Sequence, residues 1–194
     1  MFKRVFYSVC AFLGVLFVYF FWMPPILGFG GLSVASSSLA PNLLPNDRVF
    51  VYMATPELGD LLTFRGDQGN KSVKRLVARS GDEICFNDED FWSESNPDKK
   101  YLGKYTDPSQ ESFDLYEETA GNHAYKTIYP SSVKEERTCQ TVPQDELFFV
   151  GDNRANSHDS RYSSFPRISQ DQFFFKLSFI IYSDDLSRWF MRVE

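Results

Sequence analysis

The sequence predicts a mainly β protein. An antiparallel β-sheet domain carries an inserted, smaller β-rich region and is preceded by one N-terminal transmembrane helix. Three observations support this. Val5 to Met23 runs for 19 residues without a charge. Beyond it, short stretches rich in β-branched and aromatic residues recur between Gly, Pro, Asn and Asp turn signals. Between the fourth and fifth of these, from Asn87 to about Glu136, the chain becomes polar and Tyr-rich. With 194 residues, 43% of them hydrophobic, one domain of moderate size with an insertion can build a packed core.

The elements follow in order. At 1.5 Å per residue the apolar run spans roughly 30 Å, the thickness of a bilayer core. Lys3 and Arg4 precede it and no basic residue follows until Arg48, which places the N-terminus in the cytoplasm and the rest outside. Tyr19, Phe20, Phe21 and Trp22 form an aromatic belt, and Pro24 and Pro25 end the helix. The run exceeds a signal-peptide core and ends in bulky aromatics instead of A-x-A, so it reads as a retained anchor over 1–28. Residues 29–194 form the outer domain, with an inserted region at about 87–139. An uncharged, small-residue connector comes first, followed by strands at Asp47–Met53, Leu61–Phe64, Ser72–Ala78 and from Glu83, with turns at Thr55–Asp60, Gly66–Asn70 and Ser80–Asp82. After the insertion come strands at Leu147–Val150 and Phe173–Tyr182.

Charge and composition exclude some functions. A net charge of −6 argues against nucleic-acid binding. Three cysteines without a C-x-x-C pair, and only two histidines, argue against a structural zinc site, and no metal or cofactor is implied.

The polar stretch from Leu147 to Pro166, LFFVGDNRANSHDSRYSSFP, holds more Asp, Arg, Asn and Ser than a turn needs. It is either a solvated loop or a buried polar scaffold. His158 within it reads as an exposed loop residue in preference to a Ser-His-Asp member. Another nucleophile arrangement is available. Ser36, Ser37 and Ser38 lie close to the membrane exit, and Lys74 sits mid-strand between apolar residues. Burial of such a lysine lowers its pKa, and a neutral amine can activate a serine hydroxyl. On the residues alone, an ordinary strand-edge lysine is the default and the Ser-Lys dyad competes with it.

SSSLAPNLLPNDRVFV, PELGDLLTF, VKRLVARSGD and GDNRANSHDSRY appear in that order. Together they resemble the four boxes of type I signal peptidases, membrane-bound serine proteases that remove signal peptides from exported preproteins. The resemblance covers about residues 1–86 and 140–183. It implies Ser38 as nucleophile, Lys74 as general base, and an oxyanion hole from the Ser36 hydroxyl and the Ser38 N–H. It makes Ser157 the residue that orients Lys74, and Asp152, Asp159, Arg161 and Arg75 the bracing charges. Asp152–Arg75 and Asp159–Arg161 are the pairings expected. Cleavage after small residues at −1 and −3 implies shallow apolar pockets. By position Val34, Leu39, Leu43, Ser72 and Val73 line them, although core packing competes evenly for each Val and Leu. The substrate would add as a strand between the segment of Ala35 and that of Ser72.

The sequence departs from the family pattern in places. Leu39 replaces the usual Met, Asn46 replaces Gly before Asp47, and VARSGD replaces V-G-x-P-G-D. Cys85 and Cys139 flank the insertion, and outside the cytoplasm a disulfide there is favoured over two free thiols. It would close a loop of about 54 residues, worth roughly 4 kcal/mol by loop entropy. Trp189, Phe190 and Met191 either dip into the bilayer interface or cap the core. The implied location is the bacterial cytoplasmic membrane, single-pass, with the catalytic domain outside (periplasmic in a Gram-negative cell). The implied partners are signal-peptide-bearing preproteins and the lipid bilayer. Two rivals stand beside this reading: a peptidase dedicated to a pilin or conjugation substrate, and a non-catalytic assembly factor.

Overall fold

The computed structural model describes residues 7, 10–12, 14–15, 28–65, 71–94, 99–132 and 136–193. Of the expected anchor over 1–28, residues 7, 10–12, 14 and 15 are helical and Gly28 is a turn residue; the rest lies outside the described residues. Among the described residues no helix is long and apolar enough to cross a membrane.

Among the described residues thirteen strands form three sheets. The main sheet has seven strands in the order β1-β2-β13-β3-β4-β11-β12. Its members are β1 (Phe29–Ser33), β2 (Arg48–Met53), β3 (Leu61–Arg65), β4 (Lys71–Arg79), β11 (Glu146–Val150), β12 (Ile168–Ser169) and β13 (Phe175–Tyr182). All of its pairings are antiparallel. In β2 the period-two alternation buries Val49 and Val51 in one core cluster with Leu61, Leu177 and Ile180. A second cluster gathers Leu62, Phe64, Leu76, Phe149 and Phe174.

β4 is buried from Lys74 to Ala78. Both of its faces are covered, so its burial is continuous and does not alternate along the strand. Its pairing with β11 slips between Phe148–Ala78 and Phe149–Leu76, leaving Val77 as the extra residue of a bulge. Beyond the bulge, Lys74 and Arg75 point to opposite faces of the strand, and both are buried.

The structure departs from the sequence expectation in two places. The connector is not wholly irregular, because Phe29–Ser33 pairs with β2 as an edge strand. Two glycines and no apolar alternation hid it, since an edge strand is held by its ladder more than by side-chain packing. The insertion is also more regular than expected. β7 (Lys99–Thr106), β8 (Ser112–Ala120) and β9 (His123–Tyr129) form one three-stranded antiparallel sheet. β5 (Glu83–Phe86), β6 (Phe91–Ser93) and β10 (Thr138–Thr141) form another. Cys85 and Cys139, directly paired across β5 and β10, are joined in a disulfide.

At the C-terminus, a single-turn 3-10 helix, Leu186–Arg188, leads into a segment that adds to β13. Phe190 N–H donates to Ile180 C=O at 2.8 Å, and Trp189 Nε1 donates to Ser183 C=O at 2.8 Å. Phe190 remains 71% exposed.

Candidate active site

Ser38 lies in the turn that follows β1, and its side chain is buried. Its Oγ is 3.2 Å from that of Ser36. The turn is fastened by the loop that leaves β11. Asn153 N–H donates to Ser38 C=O at 3.0 Å, Asn153 Nδ2 to Ser37 C=O at 3.3 Å, and Asn156 Nδ2 to Ser37 Oγ at 2.8 Å. Three bonds from two asparagines thus fix the backbone that carries the candidate nucleophile. No local sequence signal marks these asparagines, because their partners lie more than 110 residues away.

Gly151 begins this loop with no left-handed φ; what it needs is space. A Cβ there would lie 2.2 Å from Ser157 Oγ and 2.6 Å from Ser38 C=O. Any side chain would therefore push apart Ser157 and the Ser38 turn. Val150, the last residue of β11, pairs with Arg75, the neighbour of Lys74 on β4. Ser38 and Ser157 converge on one glycine, and the buried Lys74 lies within reach of the charges of Asp159 and Asp152 on the same loop.

Burial holds the Lys74 ammonium below its ordinary value; the carboxylates of Asp159 and Asp152 pull it back up, and Arg161 pushes it down. The Ser157 Oγ is buried without a hydrogen-bond partner among the described residues. It still lies close enough to Asp159 to favour that carboxylate's charged form.

The bracing charges form two pairs. Arg75 grips Asp152 through Nε and Nη2, each at 2.7 Å, and its Nη1 donates to Gly59 C=O at 2.6 Å. Its guanidinium also lies 3.9 Å from the centre of the Tyr125 ring, a cation–π distance. Asn42 Nδ2 donates to the same Asp152 carboxylate at 2.7 Å. Arg161 holds Asp159 through Nε at 2.8 Å and Nη2 at 2.9 Å, and Gly151 N–H donates to Asp159 at 2.9 Å. Burial works to raise the Asp159 pKa, but Arg161 and the Gly151 N–H overcome it and leave it low. The polar stretch is therefore scaffold and not a solvated turn.

A third buried pair had no sequence signal. Arg154 Nη2 donates to Glu118 of β8 at 2.7 Å, and Glu118 also accepts from Thr127 at 2.9 Å and from the Tyr129 hydroxyl. The backbone reinforces this link. Ile128 N–H donates to Asp152 C=O at 3.0 Å, and Arg154 N–H to Ile128 C=O at 2.9 Å. The inserted β7–β9 sheet thus grips the loop that grips Ser38.

The expected pocket residues divide. Val34, Leu39 and Leu43 are buried in the core, with Leu43 fully so, whereas Ser72 and Val73 are half-buried at the start of β4. Asn46 adopts φ +73°, the left-handed conformation expected where Asn replaces Gly. For a cation, the closest donor set among the described residues is Glu57, Asp60 and His123, within 4.8 Å of one another. Lys176 Nζ already contacts the Asp60 carboxylate at 2.5 Å.

Residues 2–182 match the family model described as signal peptidase, peptidase S26. The Signal peptidase I of Rickettsia prowazekii (strain Madrid E) is 28% identical over 151 residues, covering 72% of this chain and 57% of the relative. That of Rickettsia akari (strain Hartford) is 29% identical over 152 residues, covering 72% and 56%. That of Rickettsia bellii (strain OSU 85-389) is 24% identical over 193 residues, covering 80% and 66%. The chain thus spans between about half and two thirds of the length of these curated relatives. A match over nearly the whole chain, on a fold that brings Ser38 and Ser157 around one glycine, places it: the chain belongs to the signal peptidase family, peptidase S26.

Proposed function

We propose that the chain is a membrane-bound serine endopeptidase that removes N-terminal signal peptides from exported preproteins, cutting after small residues at −1 and −3. The observation that carries this reading is a buried Ser38 that meets Ser157 across Gly151, with Lys74 buried within reach of the Asp159 and Asp152 charges on the same loop. A lysine is a base only when neutral, and burial favours that form. Neutral Lys74 takes the proton from Ser38 Oγ as it attacks the scissile carbonyl. The Ser38 N–H and the Ser36 hydroxyl receive the oxyanion, with Ser36 turning from its contact with Ser38 to do so. Lys74 then protonates the leaving amine, which leaves an acyl-enzyme on Ser38. A water deprotonated by Lys74 releases the signal peptide. Ser157 Oγ, buried and without a hydrogen-bond partner among the described residues, turns to hold the Lys74 amine in line during the reaction.

The uncharged run Val5–Met23, with Lys3 and Arg4 before it, supports a single-pass anchor. The N-terminus is then cytoplasmic and the catalytic domain lies outside the bacterial cytoplasmic membrane, where the Cys85–Cys139 disulfide is at home.

The test is cleavage of an exported preprotein by the detergent-solubilised full chain beside Ser38→Ala and Lys74→Met. Each substitution should lower kcat/KM by about 10⁴-fold while thermal unfolding stays cooperative. Activity of the parent should rise with pH through a midpoint below 10.5, the ordinary lysine value, because neutral base accumulates there. A Lys74→Met protein that cleaves at the parent rate refutes the dyad. A folded parent that cleaves no preprotein favours the dedicated-peptidase or assembly-factor reading.

A further inference from the structure

The main sheet curls so that its edge strand β1 faces the far end of the β3–β4 hairpin, and a cavity of about 560 Å³ lies between them. Its apolar lining includes Phe29 and Leu32 of β1, Val51 of β2, Phe64 of β3 and Phe175 of β13. Leu32, Val51 and Phe175 also pack with the core cluster that contains Leu39, the residue after Ser38. The cavity is therefore continuous with the packing beneath the candidate active site. Two cations join this apolar lining. Arg65 and Lys71, direct cross-strand partners on β3 and β4, both line it, and among the described residues no carboxylate does.

Strand direction fixes what such a cavity meets. β1 runs from Phe29 towards Ser38, and β4 runs from Lys71 towards Lys74. The cavity sits at the beginnings of both. Lys71 precedes Lys74 by three residues, about 10 Å of extended chain. A peptide laid along these strands with its scissile bond at Ser38 therefore places residues about four to seven positions before that bond in the cavity. In an extended peptide alternate side chains face opposite ways, so one can enter the apolar lining while its neighbour meets the cations.

We propose that this cavity seats the segment upstream of the −3 residue, and that Arg65 and Lys71 select for an acidic side chain there and against a basic one. The proposal rests on the peptidase reading of Ser38 and Lys74 and sharpens its substrate class. Two adjacent cations on a largely apolar surface repel a third, and such like-charge contacts discriminate between partners more than they add affinity.

The experiment uses the detergent-solubilised full chain and one preprotein whose residues at −4 to −7 are set, one at a time, to Glu, Gln or Lys. At low salt kcat/KM should favour Glu over Lys by about tenfold at one or two of these positions, and the preference should shrink near 0.5 M salt, where about 4 Å of Debye length remains. In Arg65→Glu/Lys71→Glu the preference should reverse. The readout is a ratio within one preparation, so a smaller folded fraction cancels. Equal rates for Glu, Gln and Lys at every position overturn the proposal. So does a ratio that the double substitution leaves unchanged. A ratio that follows the anionic-lipid content of mixed micelles, and not the substrate side chain, also overturns it and assigns the cations to a phospholipid headgroup. Failure to cleave even the parent preprotein overturns the peptidase reading, and this proposal with it.

Discussion

Arg75 and Arg154 are both wholly buried against a carboxylate, yet they are held in different ways. Arg75 places two nitrogens on Asp152 and the third on Gly59 C=O, with Tyr125 beneath the guanidinium. Arg154 places only Nη2 on Glu118; its Nε and Nη1 have no hydrogen-bond partner among the described residues. Its guanidinium instead lies near the Phe91 and Tyr129 rings, at 5.7 and 5.5 Å. A buried ion pair offsets its desolvation only when the remaining donors are satisfied. Arg75–Asp152 meets that condition and stands beside the candidate catalytic residues. Arg154–Glu118 does not, and joins the inserted sheet to the same loop. The difference teaches that the first pair holds geometry, whereas the second is a fastening that neutral residues can replace.

The comparison is broken most directly by removing one member of the first pair. Asp152→Ala leaves Arg75 buried without its partner and should cost about 3–5 kcal/mol, read as a fall in the urea midpoint at constant slope. Cleavage should fall with it, because Asp152 sits between Gly151 and Asn153. A midpoint equal to that of the parent would mean that Asp152 does not brace the loop. Restoring neutrality with Arg75→Met/Asp152→Asn should recover only part of the loss, since Gly59 C=O keeps no donor.

Arg154→Met should cost about 3 kcal/mol, because the buried Glu118 carboxylate loses its direct ion-pair partner. Adding Glu118→Gln keeps an acceptor for Thr127 and Tyr129 and removes the charge, so the double variant should return to within about 1 kcal/mol of the parent. A double variant no more stable than Arg154→Met alone would show that the second pair, too, is needed for its charge.

The smallest effect expected is on acid stability. Asp159 is held below the ordinary carboxylate value of 3.8, so it releases its proton more readily folded than unfolded. Its stabilising contribution is complete above that ordinary value and is lost as pH falls through the folded-state value. Arg154 adds no such window, because a guanidinium stays protonated throughout. Urea midpoints between pH 7 and pH 3 should therefore fall more steeply for the parent than for Asp159→Asn. Parallel curves would remove Asp159 from the acid response.

Legibility followed the range of the interaction. Lys74 was visible as a charge inside an apolar strand, but an ordinary strand-edge lysine fitted it as well, and its role and that of Arg75 came from the resemblance. The Asp152–Arg75 and Asp159–Arg161 pairings could be drawn because the boxes bring the residues forward by resemblance. Glu118 could not be seen, since in sequence it is one acid among several in a polar, Tyr-rich hairpin. Its burial depends on β8 packing against a loop 36 residues away in the chain. Leu43 shows the opposite limit: its position suggested a pocket wall, but the core leaves it no exposed surface.

The sequence by itself determined the period-two strands, the turns between them, the charge-free N-terminal run and the order of the four motifs. Each depends on neighbours in the chain and on hydrophobic periodicity. The tertiary structure alone decided that Gly151 must lack a side chain so that Ser38 and Ser157 can meet across it. It also decided that the inserted sheet reaches the Ser38 loop through Ile128 and Arg154, and that a cavity with two cations opens upstream. These depend on how strands distant in sequence curl into one sheet, and sheet packing is settled by side chains that no local window contains.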